Sequence, residues 1–341
     1  MMKKVIEDKD RSDDMKEFDF IRAIKPTNLR QRRVIKGIGD DAAILRTPYQ
    51  DTIMTVDTMV ENVHFSRQTA NPFQIGWRAL AANISDIAAM GGFPIAYLVS
   101  IIVSDGWGEQ ELLEIYHGMD ELATTYGMDL IGGDTVVGKE LSISITVVGT
   151  VDKERARYRS HARDGDILFV TGLLGGSACG LHVLLHEPSD LHASFQHVIR
   201  KHQMPIPRVE FVTKCKSIAR MALNDISDGI ASEVNEIAAA SDLALVIEPS
   251  HIPAPKELQH FSNSLQYEWK MSGGEDFELI GSIAPEDWPK LEAAATESEM
   301  SVTKIGTVFH DPAKNGFAWI KENNQLRRLE STGYIHKTAD K

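Results

Sequence analysis

The sequence predicts an α/β protein of two domains, each a mixed sheet with packed helices. Its 341 residues exceed the size at which one hydrophobic core usually stops growing, and an apolar content of 43% can supply two. Strand-like and helix-like stretches alternate within two blocks. A stretch rich in Arg and Asp, 153–166, separates the blocks and sets the boundary near residue 152. The expected division is a polar extension over 1–17, a first domain over 18–152 and a second over 153–341.

In the first block, apolar and β-branched residues concentrate at 42–45, 52–56, 97–103 and 141–151, which read as strands. Helices are expected near 72–90 and 109–126. In the first of these Phe73, Trp77, Leu80, Ile84 and Ile87 share one face. In the second block, 167–170 reads as a buried strand that enters the Gly-rich turn 172–177 and a helix over 177–186. After Ser227, residues Ile230, Val234, Ile237 and Ala238 recur at helical spacing, and strands follow near 243–247, 277–282 and 304–309. Asn83-Ile84-Ser85-Asp86 echoes Asp225-Ile226-Ser227-Asp228, and Gly132-Gly133-Asp134 echoes Gly273-Gly274-Glu275-Asp276. Matches this short do not establish a duplication.

Thirty-six Lys and Arg against 49 Asp and Glu give a net charge of -13, which argues against binding nucleic acid or an anionic membrane through bulk charge. A phosphorylated ligand therefore needs a metal or local donors. Residues 1–17 are too polar for a signal peptide, and the longest apolar run, 95–103 broken by Ser100, is too short to cross a bilayer. A cytoplasmic protein is expected. Cys179 and Cys215 have neither CxxC spacing nor a partner cluster, so they read as buried or idle thiols.

Five short segments set carboxylates among glycines and apolar residues: GIGDDAAIL (37–45), TVDTMVENVHF (55–65), NISDIAAMGG (83–92), LIGGDT (130–135) and DISDG (225–229). A lone charge there is costly to desolvate, and none of the five contains lysine, so the compensating charge falls to a metal. A carboxylate about 4 Å from a phosphate charge opposes it by roughly 4 kcal/mol at an effective dielectric of 20. Magnesium reverses that sign, because it takes a few carboxylates together with phosphate oxygens and water.

Each acid also has a structural explanation. Asp86 lies nearly opposite the apolar stripe of its helix and could be solvated, yet its neighbours there are Ala79, Ala82, Asn83, Ala89 and Met90, a face that looks covered. Asp225, Ser227 and Asp228 precede a helix and could all be caps, although capping needs only one of them. If 40 and 41 enter a strand, only one of Asp40 and Asp41 faces a metal. The turn 172–177 suits backbone binding of phosphate but matches neither GxGxxG nor GxxxxGK[ST]. His182, His186, His192, His197 and His202 read as a polar helix surface, whereas His64 follows Thr55, Asp57 and Glu61 and is either a turn residue or a site residue.

Taken in order, GIGDDAA, TVDTMVENVHF, NISDIAAMGG, LIGGDT, DISDG, SGGEDFEL (272–279) and GYIH (333–336) closely resemble the thiamine-monophosphate kinases, relatives of aminoimidazole ribonucleotide synthetase and selenophosphate synthetase. The resemblance runs from about residue 18 to residue 336. It implies an aminoimidazole ribonucleotide synthetase-like fold, magnesium, ATP as co-substrate, thiamine monophosphate as acceptor, and a homodimer paired through the sheets of its first domains. By motif, it implies metal ligands at Asp41, Thr55, Asp57, Asp86, Asp134, Asp225 and Asp228. ATP contacts fall on Tyr116, Gly133, Asp134, Arg159 and Ser227, and substrate contacts on His64, Glu275 and Tyr334. Val56 departs from the hydroxyl residue the family often carries there, which leaves a backbone carbonyl as the donor. No general base is nominated, because the acceptor phosphate is already a dianion near neutral pH. A selenophosphate synthetase would carry a reactive Cys in an amino-terminal Gly-rich loop, and a hydrogenase-maturation relative would end in a Cys tail. This chain has neither feature. A nucleotide sensor that has lost turnover is the alternative of another class, and the intact carboxylate set argues against it.

Overall fold

The structure is a computed structural model that describes residues 24–36, 44–46, 49–322 and 325–332. The 1–17 extension, Asp41 and Tyr334 lie outside the described residues. A short pair, β1 (Val34–Lys36) and β2 (Ile44–Leu45), precedes a four-stranded sheet. That sheet contains β3 (Gln50–Val60), β4 (Phe93–Ser104), β5 (Asp129–Gly138) and β6 (Ser142–Asp152) in the order β3-β6-β4-β5. Its pairs are antiparallel except β4 with β5. Helices α1 (Pro72–Ala89) and α2 (Glu109–Tyr126) cover one face.

Local chemistry sets these boundaries. Asn71 and Gln74 form a reciprocal capping box, each side chain accepting the other's backbone N–H at 2.9 Å, and Pro72 opens α1. Gly127, at φ 63, ends α2 in the left-handed region. The two helices cross closely: a Cβ at Gly76 would overlap the Ile115 carbonyl, and one at Gly118 would overlap that of Phe73. Along β3, alternation turns Ile53, Thr55, Asp57 and Met59 toward the helices and leaves Met54 and Val56 67% and 60% exposed on the other face. Ile102 and Val136, paired across β4 and β5, share that bare face.

The second sheet has seven strands in the order β13-β12-β9-β11-β7-β10-β8. They are β7 (Ile167–Thr171), β8 (Ala222–Asp225), β9 (Ala244–Ile247), β10 (Leu279–Ile283), β11 (Val302–Phe309), β12 (Ala318–Glu322) and β13 (Gln325–Arg328). Around them pack α3 (Gly176–His186), α4 (Gln196–Gln203), α5 (Val209–Lys214), α6 (Ile230–Ser241), α7 (Asn263–Ser272) and α8 (Trp288–Glu297). The core of the first sheet continues without a break through Phe211 of α5 and Leu291 of α8, so apolar burial ties the two sheets together.

The echo between NISD and DISD has no structural counterpart. The first lies late in α1, while the second spans the end of β8 and the turn before α6. Strand β5 was not expected from the sequence, since Gly132-Gly133-Asp134 is poor in strand formers. Its pairing with β4 explains Gly133, because a Cβ there would overlap the Val99 carbonyl.

Candidate active site

A cavity of about 820 Å³ lies between the two sheets, and Asp57, His64, Ser227, Asp228 and Glu275 all line it. Asp57 comes from β3, where its backbone N–H donates to Asn83 Oδ1 of α1 at 2.9 Å. Burial first, then the charges of Asp86 and Asp228, push its carboxyl up to about 6. Asp86 Oδ2 accepts from the Thr55 hydroxyl at 2.5 Å, and the face around it is covered, with Ala79, Ala82, Asn83 and Ala89 all buried. Asp225, at the end of β8, accepts from Ser85 Oγ of α1 at 2.9 Å. Burial, then Asp86 and Glu233, push its carboxyl well above the ordinary value.

Thr55, Asp57, Asp86, Asp225 and Asp228 therefore form one group where the first sheet, α1 and the DISDG turn meet. Arg159 borders it: its Nε donates to Asn224 Oδ1 at 3.0 Å and its Nη2 sits 2.8 Å from Glu236. Burial raises the Asp86 carboxyl above its ordinary value, opposed by the Thr55 hydrogen bond and then by the Arg159 charge. The DISDG turn holds its shape through Glu233, which accepts from the Asp228 N–H at 3.1 Å. Burial, then Glu236, push Glu233 up to about 8.

At the other part of the cavity, the Glu275 N–H donates to the Ser227 carbonyl at 2.7 Å, which fixes Glu275 in the left-handed region at φ 62. Its carboxylate accepts from Arg78 Nη2. His64 Nδ1 accepts from the Val60 N–H at 3.1 Å, so this residue is both a turn residue and a lining residue.

Three expected site residues stand apart. Asp134 lies on β5, three strand steps from Asp57 in the order β3-β6-β4-β5, and the register puts Gly133 in line with Asp57. Asp134 thus falls on the opposite sheet face, about 14 Å away at the usual strand spacing. A single chain does not bring it, or Gly133, to the carboxylate group. Tyr116 is buried within α2 among Ile115, Met119 and the sheet core, so its ring does not line the cavity.

The turn 172–177 is also answered. Asp276 accepts from the Gly175 N–H at 2.5 Å and from the Ser177 N–H at 3.0 Å, so a protein carboxylate already occupies the donors that suited phosphate. His202 departs from the polar histidine surface: it is buried, between Arg78 and Ser177. The sequence motifs do not single out Arg78 or Glu233, although both carry a signal. Arg78 and Asp86 are the two charged residues of α1, and Glu233 falls on the Ile230–Val234–Ile237 stripe.

Two family models cover most of the chain: AIR synthase related protein, N-terminal domain, over 39–151, and AIR synthase related protein, C-terminal domain, over 163–317. The thiamine-monophosphate kinase of Bacillus subtilis (strain 168) is 44% identical over 326 residues, covering 94% of this chain and 99% of its own. That of Synechococcus elongatus is 37% identical over 283 residues, covering 80% and 84%. The chain belongs to the thiamine-monophosphate kinase family. The crystal structure of the thiamine-monophosphate kinase from Stenotrophomonas maltophilia K279a superposes with a TM-score of 0.79 at 30% identity, covering 89% of this chain and 94% of that one. AaThiL complexed with AMPPCP and TMP superposes with a TM-score of 0.75 at 28% identity, covering 94% and 97%. The hydrogenase maturation protein HypE, at 19% identity and a TM-score of 0.71, shares the fold.

Among the described residues of this thiamine-monophosphate kinase family member, no three His, Cys, Asp or Glu side chains already close on one ion-sized point. The donor chemistry nonetheless fits magnesium. Its donors are hard oxygens, its acids raise one another's pKa, and such an ion takes one or two carboxylates with phosphate oxygens and water. No helix is long and apolar enough to cross a membrane, among the described residues.

Proposed function

We propose that this chain phosphorylates thiamine monophosphate to thiamine diphosphate with ATP and magnesium, in the cytoplasm and as a homodimer. One observation carries the reading: the cavity between the sheets is lined both by Asp57 and Asp228 of the acidic group and by His64 and Glu275, the residues matched to the acceptor. Thr55, Asp57, Asp86, Asp225 and Asp228 would hold the metal, joined by Asp41. The metal supplies positive charge that offsets both the carboxylates and the polyphosphate. Arg159 and Ser227 border the same group and would contact ATP. Tyr334 would complete the acceptor site beside His64 and Glu275. Tyr116, buried in this chain, would act on ATP only through the packing of α2.

In the transfer, a phosphate oxygen of thiamine monophosphate attacks the γ-phosphorus of ATP. The bond to the β-bridging oxygen breaks, and ADP leaves with its electron pair. The attacking oxygen carries no proton, since the second pKa of a phosphate monoester is about 6, so no general base is required. What the protein must supply is position and charge.

Gly133 and Asp134 enter this reading through the partner. Strands β3 and β5 are long edges, and the face bearing Met54, Val56, Ile102 and Val136 is bare. Pairing β3 of one protomer with β5 of the other at both edges would close the two sheets around that face and set the second protomer's β5, with Gly133 and Asp134, alongside the first protomer's β3. The test mixes two inactive variants, Asp57→Asn and Asp134→Asn, by co-expression. Mixed dimers hold one site with both acids intact, so roughly a quarter of wild-type turnover should return in a random mixture. A mixture as inactive as its parts would show that Asp134 does not act from the partner subunit. Thiamine diphosphate formed from thiamine monophosphate, and not from thiamine, tests the reaction itself.

A further inference from the structure

We propose that Arg78, backed by His202, is a positioning residue for the acceptor: it holds the Glu275 carboxylate in the cavity and thereby sets how thiamine monophosphate is seated. The inference rests on the reading above, in which Glu275 meets the acceptor.

Arg78 belongs to the first domain's helix α1 and is 1% exposed, yet its partners are on the second domain. Nη2 donates to Glu275 Oε2, and Nη1 lies 2.9 Å from His202 Nε2. A guanidinium only donates, so Nε2 of the ring must accept. A neutral ring then carries its proton on Nδ1, which faces the Ser177 hydroxyl at 3.0 Å. Burial, then the Arg78 charge, hold His202 well below the usual histidine range, consistent with that neutral form. Ser177 is anchored in turn, because its N–H is bound by Asp276 at the start of α3. A continuous line of polar contacts thus runs from α3 through α4 and α1 to the carboxylate in the cavity.

The backbone of Glu275 is already fixed by its bond to Ser227 and its left-handed φ, so the remaining freedom lies in the side chain, and Arg78 removes it. Stability does not explain the arrangement. The Arg78 Nε finds no acceptor among the described residues, and burying a charge with one donor unmet is a poor way to stabilise a fold. The Glu275 side chain is 29% exposed, so replacing Arg78 leaves no stranded buried charge.

The test is steady-state kinetics with each substrate varied in turn, on wild type, Arg78→Met, Arg78→Lys, Glu275→Gln and the Arg78→Met/Glu275→Gln double variant. In Arg78→Met, KM for thiamine monophosphate should rise about tenfold while KM for ATP moves less than about twofold. The melting temperature should match or exceed wild type. Arg78→Lys, which keeps the charge and donors, should recover most of the loss, and the double variant should be no worse than Glu275→Gln alone. If Arg78→Met does not fold, Arg78→Lys and His202→Gln carry the same comparison. Equal rises in both KM values, an additive double variant, or an unmoved KM for thiamine monophosphate in every folded Arg78 and His202 variant would overturn the proposal. A wild-type chain that makes no thiamine diphosphate would instead overturn the reading on which it rests.

Discussion

Asp57→Asn separates stability from function most sharply. In the folded chain the Asp57 carboxyl rises from the ordinary 3.8 to about 6, which corresponds to about 3 kcal/mol against the charged form. The residue faces the cavity, so solvent screening reduces that figure, and a cost of roughly 1–3 kcal/mol at neutral pH is expected. Because the folded pKa is raised, the cost is absent below about pH 4, grows between pH 4 and 6, and is complete above 6. The side chain makes no hydrogen bond among the described residues that asparagine would lose, and the bond to Asn83 comes from the backbone. In a chelator at pH 7.5, Asp57→Asn should therefore melt above wild type, by roughly 2–6 °C. Millimolar magnesium with a nonhydrolysable ATP analogue should raise the wild type and close or reverse the gap, while turnover of the variant collapses. Paired melting curves with and without the cation give the answer. A variant less stable than wild type in chelator, or equal gains from the cation in both proteins, would refute the like-charge account of this site.

Glu278 gives the opposite case. Burial alone would raise its carboxyl, but Arg208 at 2.5 Å and Lys201 at 2.8 Å hold it down at about 2, so its contribution is complete above about pH 4.5 and is lost as pH falls toward 2. Glu278→Gln strands Arg208, while Lys201 keeps the Leu173 carbonyl and Asp276, and should cost about 3–5 kcal/mol at pH 7, read by chemical denaturation; a loss below 1 kcal/mol would show that the pair is not what holds that corner. Gly76→Ala drives a methyl into the Ile115 carbonyl at the α1–α2 crossing and should cost about 1–3 kcal/mol, with turnover per folded molecule retained; a neutral change would mean that the helices can part at no cost.

What the sequence disclosed followed from local pattern. The covered face around Asp86 was readable because alanines stood where a surface would carry Lys and Glu, and the structure buries Ala79, Ala82 and Ala89 as that pattern requires. Strand β5 is hidden in the sequence because Gly133 answers to the neighbouring Val99 carbonyl, a contact made from about thirty residues away that no short window contains. The turn 172–177 suits phosphate in the sequence but matches no phosphate motif, and what fills it is equally out of local view: Asp276 arrives from about a hundred residues downstream. His202 was grouped with exposed histidines because its partners, Arg78 and Ser177, come from two other helices.

Helix α1 links the two ends of the site and explains why so little of it reaches solvent. Arg78 meets Glu275, Asn83 holds the backbone of Asp57, Ser85 binds Asp225, and Asp86 receives Thr55. Arg78 and Asp86 are eight residues apart, about 12 Å along an α-helix, so in the proposed reading helical rise would set the separation of acceptor side and metal side. In the proposed reaction, which needs no base, a rigid spacer would matter because misplacement of the acceptor oxygen is the main way to lose rate. The burial of α1 on most of its surface, the close glycine crossing with α2 and the capping box at Asn71 all stiffen that spacer. Its two charged residues, the buried Arg78 and the half-buried Asp86, stand in the proposed reading at the two points where the spacer meets the chemistry.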